Sequence, residues 1–323
     1  MIEFSKPQIE NLPLRLDLGS LKPKVDILRL DKIHPLVSGN KWYKLKYNLE
    51  HARELGYQRI LSCGGPHSNH LHALACAGKA LGFSTRAFVR GYAHLPLTET
   101  LLECREMGME LIFVDKKTYV NRYEPSWCEQ QAARHKSYWV PEGGNNELGI
   151  KGCAEIAQQC KGYGEVWMSI GSGCTFTGLA QNLMRDSSNS DVANSDVANS
   201  DVANSDVANS DVASAAKLKG VMAIKGGEAL AASLLSGYEN QYAINCDSHL
   251  GGFGKCPEEL ITLINYYDAQ GLPLDPVYTA KLVMAFENEW RLGQLDPAKR
   301  YLLIHSGGLQ GRRGVKALSE NLP

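Results

Sequence analysis

Residues 165–178 read EVWMSIGSGCTFTG, and how this stretch is read decides the fold. An apolar run of strand length, Glu165 to Ile170, meets a turn built from Gly171-Ser172-Gly173-Cys174, and a helix begins from Thr175. Glycines let the backbone approach an anion closely, and exposed N–H groups beside Ser172, Thr175 and Thr177 can cradle a phosphate. A dinucleotide would use such a turn as well. The motif is not Gly-x-Gly-x-x-Gly, no lysine follows as in a P-loop, and the turn lies well past the first strand, which makes NAD or ATP the weaker reading.

The same order of strand, turn and helix recurs on both sides. Leu45, Leu49, Ala52 and Leu55 give one apolar helical face from Asn40, with Gly56 as the stop. Arg59 to Cys63 reads as a buried strand bounded by Gly64-Gly65, and Ser68-Asn69 can cap a helix running to about Leu81 and stopped by Gly82. Strands then follow at 85–89, 110–114 and 137–140, with helices near 98–107, 126–134 and 149–160. Beyond the opening stretch come strands at 218–224, 242–245 and 301–305 and helices at 226–236, 257–270 and 276–291. Apolar strands separated by helices argue for an α/β protein whose parallel sheet is covered on both faces.

At 323 residues the chain is long enough for two lobes. Its formal net charge of −1, with both signs interspersed, gives no footprint for nucleic acid or an anionic membrane, so small molecules are the expected partners. No segment approaches the roughly 20 apolar residues of a membrane span, and MIEFSKPQIENLPLRL has no apolar run after a basic stretch, so a cytoplasmic location is expected. Nine cysteines, an odd number with no Cys-x-x-Cys pair, favour reduced thiols over disulfides or structural zinc. After Arg185 the composition changes: DVANS recurs four times from Asp191 and closes as DVAS at 211–214. A period of five matches neither helix nor strand, and so short a stretch offers little more than one coil of a pentapeptide solenoid, so the segment 187–214 is expected to be a solvated acidic loop.

Three polar clusters fall at junctions leading into helices, where open parallel sheets bind ligands. Besides the 171–175 turn, Gly39-Asn40-Lys41 places a lysine at a helix start, where the macrodipole and Lys44 both disfavour its charge. Either effect would free the amine for imine formation with an aldehyde, against the alternative of an ordinary solvated lysine. In Gly64-Gly-Pro-His-Ser-Asn-His70, Ser68 and Asn69 can hold a carboxylate or a ring oxygen, or simply cap a helix. His67, His70 and His72 lack an acidic or thiol companion and do not share one helical face, so no metal is expected. A suppressed lysine, a phosphate cup and groups for a ring oxygen describe an aldehyde bearing a phosphate, and pyridoxal phosphate fits.

At this point the sequence resembles the 1-aminocyclopropane-1-carboxylate (ACC) deaminase and D-cysteine desulfhydrase family, within the tryptophan-synthase-beta-like, fold type II pyridoxal phosphate enzymes. The resemblance spans nearly the whole chain outside the DVANS repeats. It rests on Asp31 before Ser38-Gly-Asn-Lys-Trp-Tyr-Lys-Leu45, on Gly64-Gly-Pro-His-Ser-Asn-His70, on Pro141-Glu-Gly-Gly144 with Gly149 and Gly152, on the 171–175 turn, on Asp275-Pro-Val-Tyr-Thr-Ala-Lys281 and on His305-Ser-Gly-Gly308, in family order. It departs from the family pattern at Cys174 for a usual glycine, at His67 for a usual glutamine, at Trp42-Tyr43 for the usual small-Arg pair, and at His249–Lys255, where many members carry a tyrosine-bearing segment.

The resemblance implies a two-domain, three-layer fold with parallel or mixed sheets: a large cofactor-binding domain of 1–47 plus 158–323, a small domain of 48–157, and a homodimer. It implies that Lys41 carries the cofactor as a Schiff base. Asn69 would meet the ring oxygen, and Gly171, Ser172, Gly173, Cys174 and Thr175, aided by Lys44, would hold the phosphate. Thr279 would sit at the pyridine nitrogen. Ser68, with Asn69 and His70, would contact the substrate, and Tyr278 would face it. ACC deaminases of the family place a glutamate where this chain has Thr279, and a neutral hydroxyl supplies a weaker electron sink. Ser306 is also nearer the threonine of desulfhydrases than the leucine of deaminases. The expected function is a pyridoxal phosphate lyase releasing pyruvate, sulfide and ammonia from D-cysteine. The alternatives are ACC deamination to 2-oxobutyrate and ammonia, or a non-catalytic protein holding pyridoxal phosphate or a nucleotide.

Overall fold

The structure, a computed structural model, describes residues 3–15, 23–193, 216–238 and 241–319. Among the described residues, ten strands form two sheets. Strands β1 (Gln8–Asn11), β2 (Lys24–Arg29), β7 (Glu165–Ile170), β8 (Lys217–Met222), β9 (Tyr242–Asn245) and β10 (Arg300–His305) make a six-stranded sheet in the order β1-β2-β10-β7-β8-β9. Strands β3 (Arg59–Gly64), β4 (Ser84–Arg90), β5 (Glu110–Val114) and β6 (Tyr138–Trp139) make the second sheet in the order β5-β4-β3-β6. Every pair is parallel except β1 with β2, so the larger sheet is mixed only at its edge.

The helices are α1 (Asn40–Glu54), α2 (Asn69–Leu81), α3 (Glu99–Glu106), α4 (Lys116–Val120), α5 (Pro125–Arg134), α6 (Glu147–Ala154), α7 (Cys174–Ala193), α8 (Glu228–Leu235), α9 (Glu258–Ala269), α10 (Thr279–Arg291) and α11 (Lys316–Ser319). Neighbouring residues of a strand point to opposite faces, and both faces are apolar here, as covered parallel strands require. Ile27, Trp167, Tyr301 and Leu303 bury into one core with Leu263 of α9 and Phe286 of α10, while Leu28, Val166, Met168, Leu302 and Ile304 bury into another with Phe176 and Leu179 of α7. In the smaller sheet Ile60, Ala87 and Val89 pack with α1 and α2, and Leu61, Cys63 and Phe88 face Tyr119, Trp127 and Trp139. Three layers in each half follow from these two-sided cores. No helix among the described residues is long and apolar enough to cross a membrane.

Three expectations change. The segment read as an acidic loop from 187 begins as helix, because α7 continues to Ala193; Phe176, Leu179, Ala180 and Leu183 anchor its first turns, and once a helix is nucleated each added residue costs little. The remainder of that segment, 194–214, lies outside the described residues. The helix expected at 149–160 is α6 followed by a tighter 3-10 stretch, Glu155–Cys160. Strands β1 and β2 have no counterpart in the expectations; β1 is a short edge strand whose Ile9 is exposed, so it carries little apolar signal.

Helix α6 lies close against α1. A Cβ added at Gly152 would stand 1.8 Å from the Tyr43 carbonyl oxygen, a backbone atom that cannot move aside. This approach sets where α1 presents its first turn. Gly152→Ala is expected to lower unfolding free energy by about 3 kcal/mol, the upper range for overpacking, as measured by urea denaturation.

Candidate active site

The first turn of α1 is fixed by the far end of the chain. The Asn40 N–H donates to the Ser306 carbonyl at 3.0 Å, just beyond β10, and Gly39 has φ +69°, a left-handed backbone that glycine adopts freely. A Cβ there would lie 1.9 Å from the same Ser306 oxygen. Lys41 is thus held beside the 306–308 loop. Its Nζ donates to Asn40 Oδ1 at 2.8 Å, and Asn40 Nδ2 donates to Thr175 Oγ1 at 3.1 Å, linking the lysine to the glycine-rich turn. Burial, then the like charge of Lys44, brings the Lys41 pKa down to about 7. The direction agrees with the sequence reading. The leading cause is enclosure by the fold, which a helix-end argument does not contain.

The 171–175 turn meets its expected partners. Lys44, buried in α1, reaches Ser172 Oγ at 3.5 Å. Gly171 needs to be bare for a different reason than closeness to an anion: a Cβ there would stand 3.0 Å from the Tyr278 ring and 3.1 Å from its hydroxyl. Cys174 fills the usual glycine position with its thiol at 3.5 Å from the Gly144 carbonyl. Its hydrogen-bonding contact with Cys153 draws its pKa to about 7 against burial, with Lys44 and Lys41 adding to the effect, while burial and that same contact push Cys153 up.

Helix α10 begins with a buried cap. Asp275 Oδ1 accepts from the N–H groups of Val277 (3.0 Å) and Tyr278 (2.7 Å), and Oδ2 accepts from Thr279 N–H at 2.8 Å. An aspartate satisfying orphan amide groups at a helix start is ordinary capping, carried out here at zero exposure. It aligns Tyr278 and Thr279. The Thr279 hydroxyl is fully buried and has no hydrogen-bond partner among the described residues, as is true of Asn69 Oδ1. Leaving such a group unpaired costs about 1–3 kcal/mol, so both atoms keep hydrogen-bonding capacity that the described residues do not use.

A narrow cleft, with only about 10 Å³ of water-sized space, is lined by Lys41, Asn69, Tyr278 and Ser306, with Ser38, Gly307, Gly308, Leu36, Ala73 and Gln310 completing it. Of the expected site residues, Lys44, Ser68, His70, Gly171 to Thr175 and Thr279 are not among its lining. Ser68 Oγ caps α2 by accepting from Leu71 N–H at 3.2 Å. His70 lies beneath: Ser62 Oγ donates to the Val140 carbonyl at 2.7 Å, which leaves His70 Nε2 to donate to Ser62 Oγ at 2.8 Å. Burial and the two lysines press the His70 pKa down to about 3.

Ser38, Asp275, Lys281 and Gln310 lie in stretches that the sequence marks as motifs without giving these residues a role. The Asp-Pro-Val order before a helix could have signalled the cap. Nothing local signals Lys281, whose buried Nζ donates to the carbonyls of His249 (2.9 Å) and Gly252 (2.7 Å), nor that Phe253 thereby stands edge-on to Tyr278 at 6.1 Å between ring centres.

A suppressed lysine beside a glycine turn with a second lysine, plus two unpartnered buried polar atoms, at the strand ends of a doubly covered parallel sheet, defines a site for a phosphorylated aldehyde. The chain belongs to the pyridoxal-phosphate dependent enzyme family, whose profile matches residues 7–307. It is 28% identical over 294 residues to "Putative 1-aminocyclopropane-1-carboxylate deaminase" of Pyrococcus horikoshii, covering 88% of this chain and 84% of that one. It is 25% identical over 314 residues to D-cysteine desulfhydrase of Klebsiella pneumoniae, covering 93% and 90%. Among solved structures it resembles an ACC deaminase homologue with a TM-score of 0.74 and 25% identity over 99% of this chain and 95% of that one. It also shares its fold with threonine deaminase isoform 2 of Solanum lycopersicum, at TM-score 0.59 and 17% identity over 89% and 76% of the two chains. The chain is therefore a pyridoxal-phosphate-dependent lyase of the group that holds ACC deaminases and D-cysteine desulfhydrases.

With its pKa near 7, Lys41 is a neutral amine well below the pH at which ordinary lysines lose their proton. Rapid labelling of the cofactor-free protein by an amine-specific reagent, followed by peptide mass spectrometry, is expected to rise at Lys41 with a midpoint near pH 7 and at surface lysines only above about pH 10.

Proposed function

We propose that the enzyme eliminates the β-substituent of a small D-amino acid, with D-cysteine the best-fitting substrate and pyruvate, sulfide and ammonia the products. The observation that carries this reading is Thr279: a neutral, fully buried hydroxyl with no partner among the described residues, next to an Asp275 whose two oxygens are taken by backbone amides. Neither group can keep a ring nitrogen protonated as a facing glutamate would. A weaker electron sink is sufficient when the β-group leaves readily as thiolate, whereas opening a cyclopropane ring requires a stronger one.

When bound, pyridoxal phosphate supplies an aldehyde for the substrate amine and a ring that withdraws electrons from the α-carbon. The remaining work falls to side chains of this chain. Gly171 to Thr175 and Lys44 would hold the phosphate, Asn69 would face the ring oxygen, and Thr279 would offer the ring nitrogen a hydroxyl. Lys41, whose pKa burial and the neighbouring Lys44 bring down to about 7, would serve as the amine that takes the α-proton. The Cβ–S bond then breaks with its electron pair going to sulfur, and the released enamine hydrolyses to pyruvate and ammonia. Burial, with Asp275 next, raises the Tyr278 pKa, so its hydroxyl keeps its proton facing the substrate.

Lys41→Ala is expected to abolish both sulfide release from D-cysteine and the visible absorption of the bound cofactor; retained turnover would sink the assignment. Thr279→Glu is expected to raise 2-oxobutyrate release from ACC at least tenfold relative to pyruvate release from D-cysteine, about 1.4 kcal/mol of selectivity. Wild-type protein that releases 2-oxobutyrate from ACC faster than sulfide from D-cysteine would reverse the order of the two readings.

A further inference from the structure

One wall of the cleft beside Lys41 carries Leu36, Ala73 and Gln310, and of these the glutamine alone can hydrogen-bond through its side chain. Gln310 belongs to the 3-10 stretch Leu309–Gly314 that follows the 306–308 loop. A relay fixes which end of its amide faces the cleft. Arg313 binds both oxygens of Glu103 at 2.7 Å each, and this contact holds the Glu103 carboxyl below the usual carboxylate range. Glu103 is therefore an acceptor, so His72 Nε2, at 2.8 Å from it, must carry a hydrogen. His72 is 1% exposed, and burial lowers its pKa against Glu103 and the Leu36 backbone; with the Nε2 hydrogen turned to Glu103, the neutral ring has its lone pair on Nδ1. Gln310 Nε2 lies 3.4 Å from that Nδ1 and donates to it. Its Oε1 accepts no hydrogen bond from the described residues.

We propose that Gln310 is a specificity-determining residue whose Oε1 accepts a hydrogen bond from an –SH or –OH on the substrate's β-carbon. His72, Glu103 and Arg313 are positioning residues that keep the amide oxygen, and not its nitrogen, turned to the cleft. The site thereby favours β-thiol and β-hydroxy amino acids over those whose β-carbon bears no hydrogen-bond donor. A polar group left unpaired by a substrate that lacks the donor is the physical source of such discrimination. This inference rests on the β-elimination reading above.

The test compares holoenzyme kcat/KM for D-cysteine, D-serine and β-chloro-D-alanine, the last a substrate of similar size with a good leaving group and no donor. In Gln310→Leu, and in the isosteric Gln310→Met, the values for D-serine and D-cysteine are expected to fall about threefold to tenfold relative to β-chloro-D-alanine, chiefly through KM. His72→Phe is expected to shift selectivity in the same direction. Imidazole ¹⁵N shifts of the wild-type protein are expected to show His72 as the neutral Nε2–H tautomer, with the Nδ1 resonance moving in Gln310→Leu. An unchanged selectivity ratio in both Gln310 variants, or a protonated or Nδ1–H ring, overturns the inference while leaving the elimination reading in place. Wild-type enzyme that turns over none of the three substrates overturns the elimination reading and this inference with it.

Discussion

The close approach of Gly39 to the Ser306 carbonyl is the contact on which the site depends. It joins the start of α1 to the loop after β10, two segments far apart in sequence, without room for a single side-chain atom between them. Everything that makes Lys41 unusual follows from that docking. The lysine cannot swing to solvent because its own neighbour Asn40 bridges it to Thr175, and Lys44, one turn on, is directed toward Ser172. The helix start, the glycine turn and the loop after the final strand therefore form one assembly, and the cleft opens beside Lys41 and the 306–308 loop.

Electrostatics and packing act together in this assembly. Burial first, and the neighbouring lysine charge second, lower the pKa of Lys41 and of His70, while Cys174 is drawn toward thiolate first by its contact with Cys153 and then by Lys44 and Lys41. The charge contributions each have the sign expected of concentrated positive charge. A phosphate dianion would relieve that concentration.

Much of this was legible in the sequence because it is local. The alternation of apolar runs with capped helices identifies the strands and helices from Asn40 onward, since each capping signal, such as Ser68 before α2 and Gly82 after it, acts within a few residues. Lys41, Lys44 and the 171–175 turn were readable for the same reason: helix starts and glycine turns have short signatures. What escaped was long-range. β1 pairs antiparallel with β2 at the sheet edge and shows little periodicity, and α7 persists into the repeats because its first turns are anchored in the core. Gln310 gains its place in the cleft from His72 and Glu103, more than 200 residues earlier in the chain, and no pattern around Gln310 records that contact. Even where the Lys41 shift was expected, its main cause, enclosure, belongs to the tertiary structure.

Lys281 carries an ammonium into the interior with backbone carbonyls of His249 and Gly252 as its hydrogen-bond acceptors. Its tether leaves from α10 only two residues after Thr279, so the 249–252 turn is moored to the same rigid cylinder that begins at the cofactor ring's expected seat. Any tilt of that cylinder would carry the turn, and Phe253 after it, along with the Tyr278 ring. The 249–252 turn and the helix that begins beside Tyr278 are in this sense one mechanical part, joined through a single nitrogen atom.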